Sequence, residues 1–144
     1  VAFSLTVQNR RKSRMGYALG HHVAAILEAH AIPHAREATT EPGSRPDFLF
    51  PSEAAYRDDA FPPEALDMLA LKASLKDRWR QVLAEAERIP AKHLLTLRPA
   101  LSEGQRAEMD RHRLALVVPA PLAAGAGAAA SLADFLDRRR AAAP

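Results

Sequence analysis

Three charged residues in this sequence are of the types that metal-dependent phosphodiester hydrolysis can use. Asp47 lies in the short apolar segment 46–50, Lys72 interrupts the apolar run 68–73, and Glu85 follows on a predicted helix. Such hydrolysis needs a divalent cation that polarises the phosphate and lowers the pKa of the attacking water. Because Mg²⁺ prefers oxygen ligands and keeps several of its waters, one or two carboxylates are enough to hold it. A lysine beside them can orient the water and offset charge on the phosphate.

The same three residues also have a plain structural interpretation. Asp47 follows a proline and can be a solvated loop residue, while Lys72 can be a residue of an edge strand. Glu85 can lie on the exposed face of a helix. The spacing by itself therefore leaves a nuclease site and a solvated surface both open.

The segments around these residues alternate between the patterns of strands and helices. Apolar residues at i, i+3 or i+4 predict helices, and short apolar runs predict buried strands. A capping-box pattern, Ser102 with Gln105, predicts where one helix begins, and Ser131 is a second cap candidate. The alternation predicts an α/β domain with a mixed central β-sheet flanked by helices. The predicted helices are 10–31, 76–89, 103–112 and one after 131, and the predicted strands are 46–50, 68–73, 93–97 and 114–118.

The composition narrows the class of protein. A chain of 144 residues suits one globular domain with a sizeable core. It has no cysteine, which excludes disulfides and thiolate metal sites and is compatible with a cytoplasmic protein. No apolar run is long enough for a transmembrane helix, so no membrane partner is expected. A net charge of +3 and a pI of about 9.7 fit a nucleic-acid partner without demanding one.

Basic residues crowd two short stretches. The first stretch holds Arg10, Arg11, Lys12 and Arg14, and the second holds Lys72, Lys76, Arg78 and Arg80. Cations of the first stretch can contact phosphates, which gives affinity for nucleic acid without sequence information. The alternative is that the first stretch serves solubility alone; we favour phosphate contact.

Several stretches, read in order, resemble one known family. They are Asn9 to Arg14, Arg45 to Pro51, and Leu71 to Ala86, of which the Lys-Asp-Arg-Trp-Arg-Gln run at 76–81 is the most specific. His93 to Leu97 and Leu116 to Pro119 extend the match. Over roughly residues 3–122 the sequence resembles the catalytic (C-terminal) domain of EcoRII-type restriction endonucleases, which belong to the PD-(D/E)XK nucleases.

The resemblance implies roles for particular residues. In that family the acidic residue two positions before the lysine is replaced by a glutamate on the next helix. Here Ala70 occupies the vacated position. The resemblance therefore implies Asp47 and Glu85 as ligands of Mg²⁺, Lys72 as the catalytic lysine and Tyr56 as a weaker catalytic candidate. It also implies a type II restriction endonuclease that cuts double-stranded DNA at a site with CC and GG halves, similar to CCWGG.

Residues between the catalytic lysine and glutamate read bases in related enzymes. Arg78 can be bidentate to a guanine, Asp77 can accept from a cytosine, and Lys76 and Arg80 can read or clamp nearby. The alternative is a charge pair at a helix start. We expect a homodimer on a near-palindromic site and an N-terminal effector-binding domain in a longer parent chain. The catalytic domain is expected over 1–122, with an Ala-rich linker and a C-terminal helix over 123–144 attached to it.

One position departs from the family pattern. The family has a glutamate near the metal centre where this chain has Gly20. A carboxylate at 20 could reach the metal centre, and its loss keeps an alternative open: a sequence-specific DNA-binding module with weakened or lost cleavage. A protein-interaction module with no nucleic-acid role would leave the two basic stretches unexplained.

Overall fold

The computed structural model describes residues 18–73, 75, 78–98, 101–119, 121 and 130–142. Within them the helices are α1 over 18–29, α2 (Glu53–Arg57), α3 (Glu103–Arg111) and α4 (Leu132–Ala142), and 3-10 helices span Pro63–Ala65 and Arg78–Ala84. The strands are β1 (Ala35–Arg36), β2 (Phe48–Phe50), β3 (Asp67–Lys72), β4 (Lys92–Thr96), β5 (Leu114–Val118) and β6 (Ala130–Ser131).

The described strands form a mixed sheet in the order β1-β2-β3-β4-β5-β6. The first three strands pair antiparallel, and β3 to β6 pair parallel. The parallel pairs β3–β4 and β4–β5 require crossovers, which the 3-10 helix at 78–84 and α3 supply. The predicted mixed sheet flanked by helices is therefore confirmed.

Side chains alternate between the two faces of the sheet and build a core on each. On β3, Met68 and Ala70 point to the face covered by the 3-10 helix with Trp79 and by α3. Leu69 points to the opposite face, which α1 and α4 cover. The sheet is buried on both sides because helices cover both, which explains why its central strands read as near-continuous apolar runs.

Two of the local predictions are confirmed by side-chain caps. The Ser102 side chain accepts from the Gln105 amide, and the Gln105 side chain accepts in return from the Ser102 amide, completing the capping box of α3. Ser131 accepts from the Asp134 amide at 3.0 Å at the start of α4. The strand 114–118 has the predicted bounds, while 93–97 is shifted by one residue.

The prediction of a helix over 76–89 is wrong in type and in length. The described helix spans Arg78–Ala84 and is a 3-10 helix, and Ala86 has a positive φ of 48° that ends any helical path. Apolar residues three apart share one face of a 3-10 helix as they do of an α-helix, so the pattern at Trp79 and Val82 did not discriminate between them. The left-handed Ala86 is imposed by tertiary contacts, described below, that local propensity does not reveal.

A charged cluster at the start of β3 and β4 ties α4 to the sheet. Asp67 lies 2.8 Å from Nδ1 of His93 and accepts from Arg138 at 2.9 Å and from the Met68 amide at 2.9 Å. Arg138 also lies 2.8 Å from Nε2 of His93. Arginine only donates, so Nε2 accepts and the imidazole proton of a neutral His93 lies on Nδ1.

We expect Asp67→Asn to lower the free energy of unfolding by about 3 kcal/mol, because the amide replaces an acceptor with a donor that faces other donors in a buried site. Urea unfolding measures the change. The matched control is Asp137→Asn, which removes an exposed carboxylate 4.0 Å from Arg140 on the same helix and is expected to cost under about 0.5 kcal/mol. Equal unfolding midpoints for the two variants would contradict the role given to Asp67.

Candidate active site

One edge of the sheet brings together residues that are far apart in the sequence. Because β2 and β3 are antiparallel, the start of β2 lies beside the end of β3. Asp47 immediately precedes β2 and Lys72 is the last residue of β3. Both side chains belong to the sheet face that the 3-10 helix at 78–84 covers, and Glu85 directly follows that helix.

Asp47 is held by the neighbouring strand. Its Oδ2 accepts from the Leu71 amide at 2.8 Å, while its own carbonyl accepts from the Glu37 amide at 3.0 Å. Burial raises the pKa of Asp47, and the Leu71 hydrogen bond and the charge of Lys72 oppose that rise. The carboxylate is thus fixed in place, and burial outweighs the interactions that favour its ionised form.

Of the two carboxylates, Glu85 is the one whose ionised form is more destabilised. Burial and, after it, the charge of Asp47 raise its pKa to about 7 against the opposing charges of Lys72 and Lys92. Its Oε2 is buried and accepts no hydrogen bond from the described residues. An uncompensated buried carboxylate oxygen is costly, so the site favours a cation that would neutralise it.

The donor set fits a hard divalent cation. Asp47 and Glu85 influence one another electrostatically and present carboxylate oxygens, and Lys72 lies close enough to affect both. Within the described residues no group of three or more His, Cys, Asp or Glu side chains forms a metal cluster. Two carboxylates with water in the remaining positions match what Mg²⁺ accepts.

Behind Glu85 lies a hydrogen-bonded network that the sequence did not indicate. Tyr56, on α2, donates its hydroxyl proton to Oε1 of Glu41 and accepts from the Arg88 amide at 3.1 Å. The same Glu41 oxygen accepts from the Glu87 amide at 2.9 Å. Burial and the Glu41 carboxylate raise the pKa of Tyr56 to about 12, so the phenol stays protonated.

Two cations complete that network. The Arg88 guanidinium donates to the carbonyl of Tyr56, to that of Asp58 at 3.2 Å and to that of Phe61 at 2.7 Å, which closes the C-terminal end of α2. Lys92 is buried and donates to the Ile89 carbonyl. Its burial lowers the pKa of Lys92, and the charges of Glu41, Glu85 and Glu87 oppose that change.

Gly20 lies on α1, on the opposite face of the sheet from Glu85, and is buried. A Cβ there would lie 2.7 Å from Nη2 of Arg36, whose guanidinium is also 3.2 Å from Nδ1 of His21. Arg36 pairs with Phe48 across β1 and β2, one residue from Asp47, and its charge favours the ionised form of Asp47. A cation therefore occupies the space into which a side chain at position 20 would grow.

The structure describes only some of the residues that are expected to contact DNA. Lys76, Asp77 and the basic stretch 10–14 lie outside the described residues, and of Arg78 only the backbone is described, at the start of the 3-10 helix. Arg80 is exposed, pairs with Glu108 at 2.9 Å and lies over the Trp79 ring at 5.2 Å. The roles given to these residues stay predictions.

Sequence reasoning brought out Asp47, Lys72 and Glu85, and the structure places them at one edge. It missed Glu41, Arg88 and Lys92, which lie in loops or at a strand start where no spacing marks them. What distinguishes these charged residues is that they are buried or half-buried, and their burial can be recognised only in the folded chain.

The sequence is similar to that of known proteins. A family model described as EcoRII C terminal matches residues 1–130. The type II restriction enzyme EcoRII of Escherichia coli is 47% identical over 123 residues, which is 85% of this chain and 30% of that protein. The chain thus spans less than a third of the length of this relative.

Solved structures share the fold at low sequence identity. Metal-depleted Ecl18kI in complex with uncleaved, modified DNA superposes with a TM-score of 0.82 at 17% identity, covering 96% of this chain and 49% of that one. The complex of the restriction endonuclease PspGI with substrate DNA gives 0.75 at 15% identity, covering 96% and 65%. No described helix is long and apolar enough to cross a membrane. With the family model matching most of its length, the chain belongs to the EcoRII C-terminal family and has the restriction-endonuclease-like fold.

Proposed function

We propose that this chain is the catalytic part of a Mg²⁺-dependent type II restriction endonuclease that hydrolyses phosphodiester bonds in double-stranded DNA. The observation that carries the proposal is the meeting of two desolvated carboxylates, Asp47 and Glu85, with Lys72 at one sheet edge. Membership of the EcoRII C-terminal family and the DNA bound to Ecl18kI and PspGI support the same reaction.

The residues divide the work by their chemistry. Asp47 and Glu85 would hold the cation, which when bound polarises the phosphate and lowers the pKa of the attacking water. Lys72 places a positive charge beside them and stabilises the negative charge that grows on the phosphate in the transition state. The Leu71 amide fixes Asp47 through Oδ2, so this carboxylate needs no rearrangement before reaction.

Recognition of DNA is proposed to come from the segment between the lysine and the glutamate. Lys76, Asp77 and Arg78 would read a site with CC and GG halves, CCWGG-like, while Arg80 would leave Glu108 to contact DNA. The basic stretch 10–14 would contact phosphates. A homodimer would match a near-palindromic site, and a longer parent chain would carry an N-terminal effector DNA-binding domain and act in the cytoplasm.

We expect Asp47→Ala and Lys72→Ala each to slow cleavage of plasmid DNA in Mg²⁺ by at least ~100-fold while DNA binding stays measurable, because each removes charge at the reacting phosphate. Cleavage is followed on gels, the ends are sequenced, and binding is measured in EDTA. Asp110→Ala, an exposed change on α3, is the matched control. Wild-type rates in either site variant would refute the assignment.

A specific observation keeps the alternative of a DNA-binding module with weakened cleavage in view. Arg36 fills the space beside Gly20 and its charge acts on Asp47, so a cation lies where the family carries a carboxylate. A glutamate introduced at 20 would meet the Arg36 guanidinium before it met a metal. The ion pair formed would neutralise the new carboxylate as a ligand.

The effect of Gly20→Glu should therefore depend on Arg36. We expect it to leave the cleavage rate unchanged or lower in the parent chain, and to raise the rate at limiting Mg²⁺ by about tenfold in the Arg36→Ala background, where the carboxylate is free to support the cation. Rates of all four proteins against Mg²⁺ concentration give the comparison. The same effect in both backgrounds would mean that Arg36 does not control position 20.

A further inference from the structure

The turn that carries Glu85 is not held by its own sequence. Ala86 has a φ of 48°, which an alanine adopts only when its surroundings impose it. The local hydrogen bonds, Glu85 to Val82 at 3.0 Å and Ile89 to Ala86 at 2.9 Å, leave the amides of Glu87 and Arg88 to partners outside the turn. The position of Glu85 therefore depends on whatever binds these two amides.

Two side chains from other parts of the fold bind them. Glu41 accepts from the Glu87 amide at 2.9 Å, and the Tyr56 hydroxyl accepts from the Arg88 amide at 3.1 Å. The Tyr56 hydroxyl in turn donates to Glu41, so the two acceptors are joined. We call Glu41 and Tyr56 the amide clamp.

The amide clamp comes from the two segments that flank β2. Glu41 precedes β2 in the tight turn closed by Ser44, and Tyr56 follows β2 on α2. Asp47 lies between them in the sequence and immediately precedes the same strand. The clamp thus ties the turn of Glu85 to the segments that flank Asp47.

We propose that Glu41 and Tyr56 are positioning residues that hold Glu85 opposite Asp47 by binding the backbone amides of Glu87 and Arg88. This inference rests on the proposed function, because the position of Glu85 opposite Asp47 matters for activity only if the two carboxylates hold a cation for DNA cleavage. Tyr56 acts here without touching DNA or a cation: its hydroxyl is buried, and it both donates and accepts within the protein. Arg88 supports the clamp by lying over the Tyr56 ring at 5.5 Å.

The experiment removes the clamp one hydrogen bond at a time. Tyr56→Phe removes the hydroxyl, Glu41→Ala removes the acceptor, and Glu41→Gln keeps an oxygen for the Glu87 amide. Glu53→Gln is the matched control, because it removes a carboxylate of α2 whose partner is the exposed Arg57 at 3.1 Å. Amide hydrogen exchange at 87 and 88, Mg²⁺ affinity by calorimetry, and the Mg²⁺ dependence of plasmid cleavage are measured for each protein.

We expect exchange at 87 or 88 to speed up about tenfold in Tyr56→Phe and Glu41→Ala, while amides of β4 keep their protection. Mg²⁺ affinity should fall about tenfold or more in both. Glu41→Gln should recover much of the loss, and Glu53→Gln should match the wild type.

Unchanged exchange and unchanged Mg²⁺ affinity in Tyr56→Phe and Glu41→Ala would overturn the clamp. Loss of protection throughout β4 as well would also overturn it, because it would show a general role in stability. A wild-type chain that neither binds Mg²⁺ nor cuts DNA would contradict the proposed function instead, and exchange at 87 and 88 would still decide whether the clamp holds the turn.

Discussion

The candidate site depends on two neighbouring carboxylates that are both partly withdrawn from water. Asp47 and Glu85 each lose hydration at the sheet edge, and the charge of Asp47 adds to the rise in the pKa of Glu85. Left alone, such a pair destabilises the fold, since the oxygen Oε2 of Glu85 has no donor among the described residues. A bound cation would remove that cost.

The two carboxylates are held by different kinds of interaction. Asp47 is fixed by strand pairing, because β2 and β3 run antiparallel and the Leu71 amide reaches its carboxylate. Glu85 belongs to a turn with a left-handed residue, Ala86, and depends on side chains from β2's flanking segments. At the other end of β3, the buried Asp67 and its partners fasten α4 to the sheet, which is a separate structural role.

The sequence predicted what depends on local pattern. The central strands, the capping box of α3 and the cap at Ser131 follow from short-range rules, and the residues at 47, 72 and 85 were found through their resemblance to a family. The 3-10 geometry at 78–84 could not be predicted, since spacing of three residues fits both helix types. The partners of Tyr56 and the cation beside Gly20 come from contacts across the fold, which no periodicity encodes.

The most direct test is the free energy of unfolding of the wild type and Glu85→Gln, in EDTA and in Mg²⁺, across pH. The pKa of Glu85 rises from 4.5 to about 7 on folding, so the native state binds the extra proton between these values and stability falls as pH rises through them. At pH 8 in EDTA, Glu85→Gln should be more stable by about 1 kcal/mol, allowing for solvent screening. Saturating Mg²⁺ should stabilise the wild type by about 2–3 kcal/mol and the variant far less. Identical pH profiles and identical responses to Mg²⁺ in the two proteins would contradict the account.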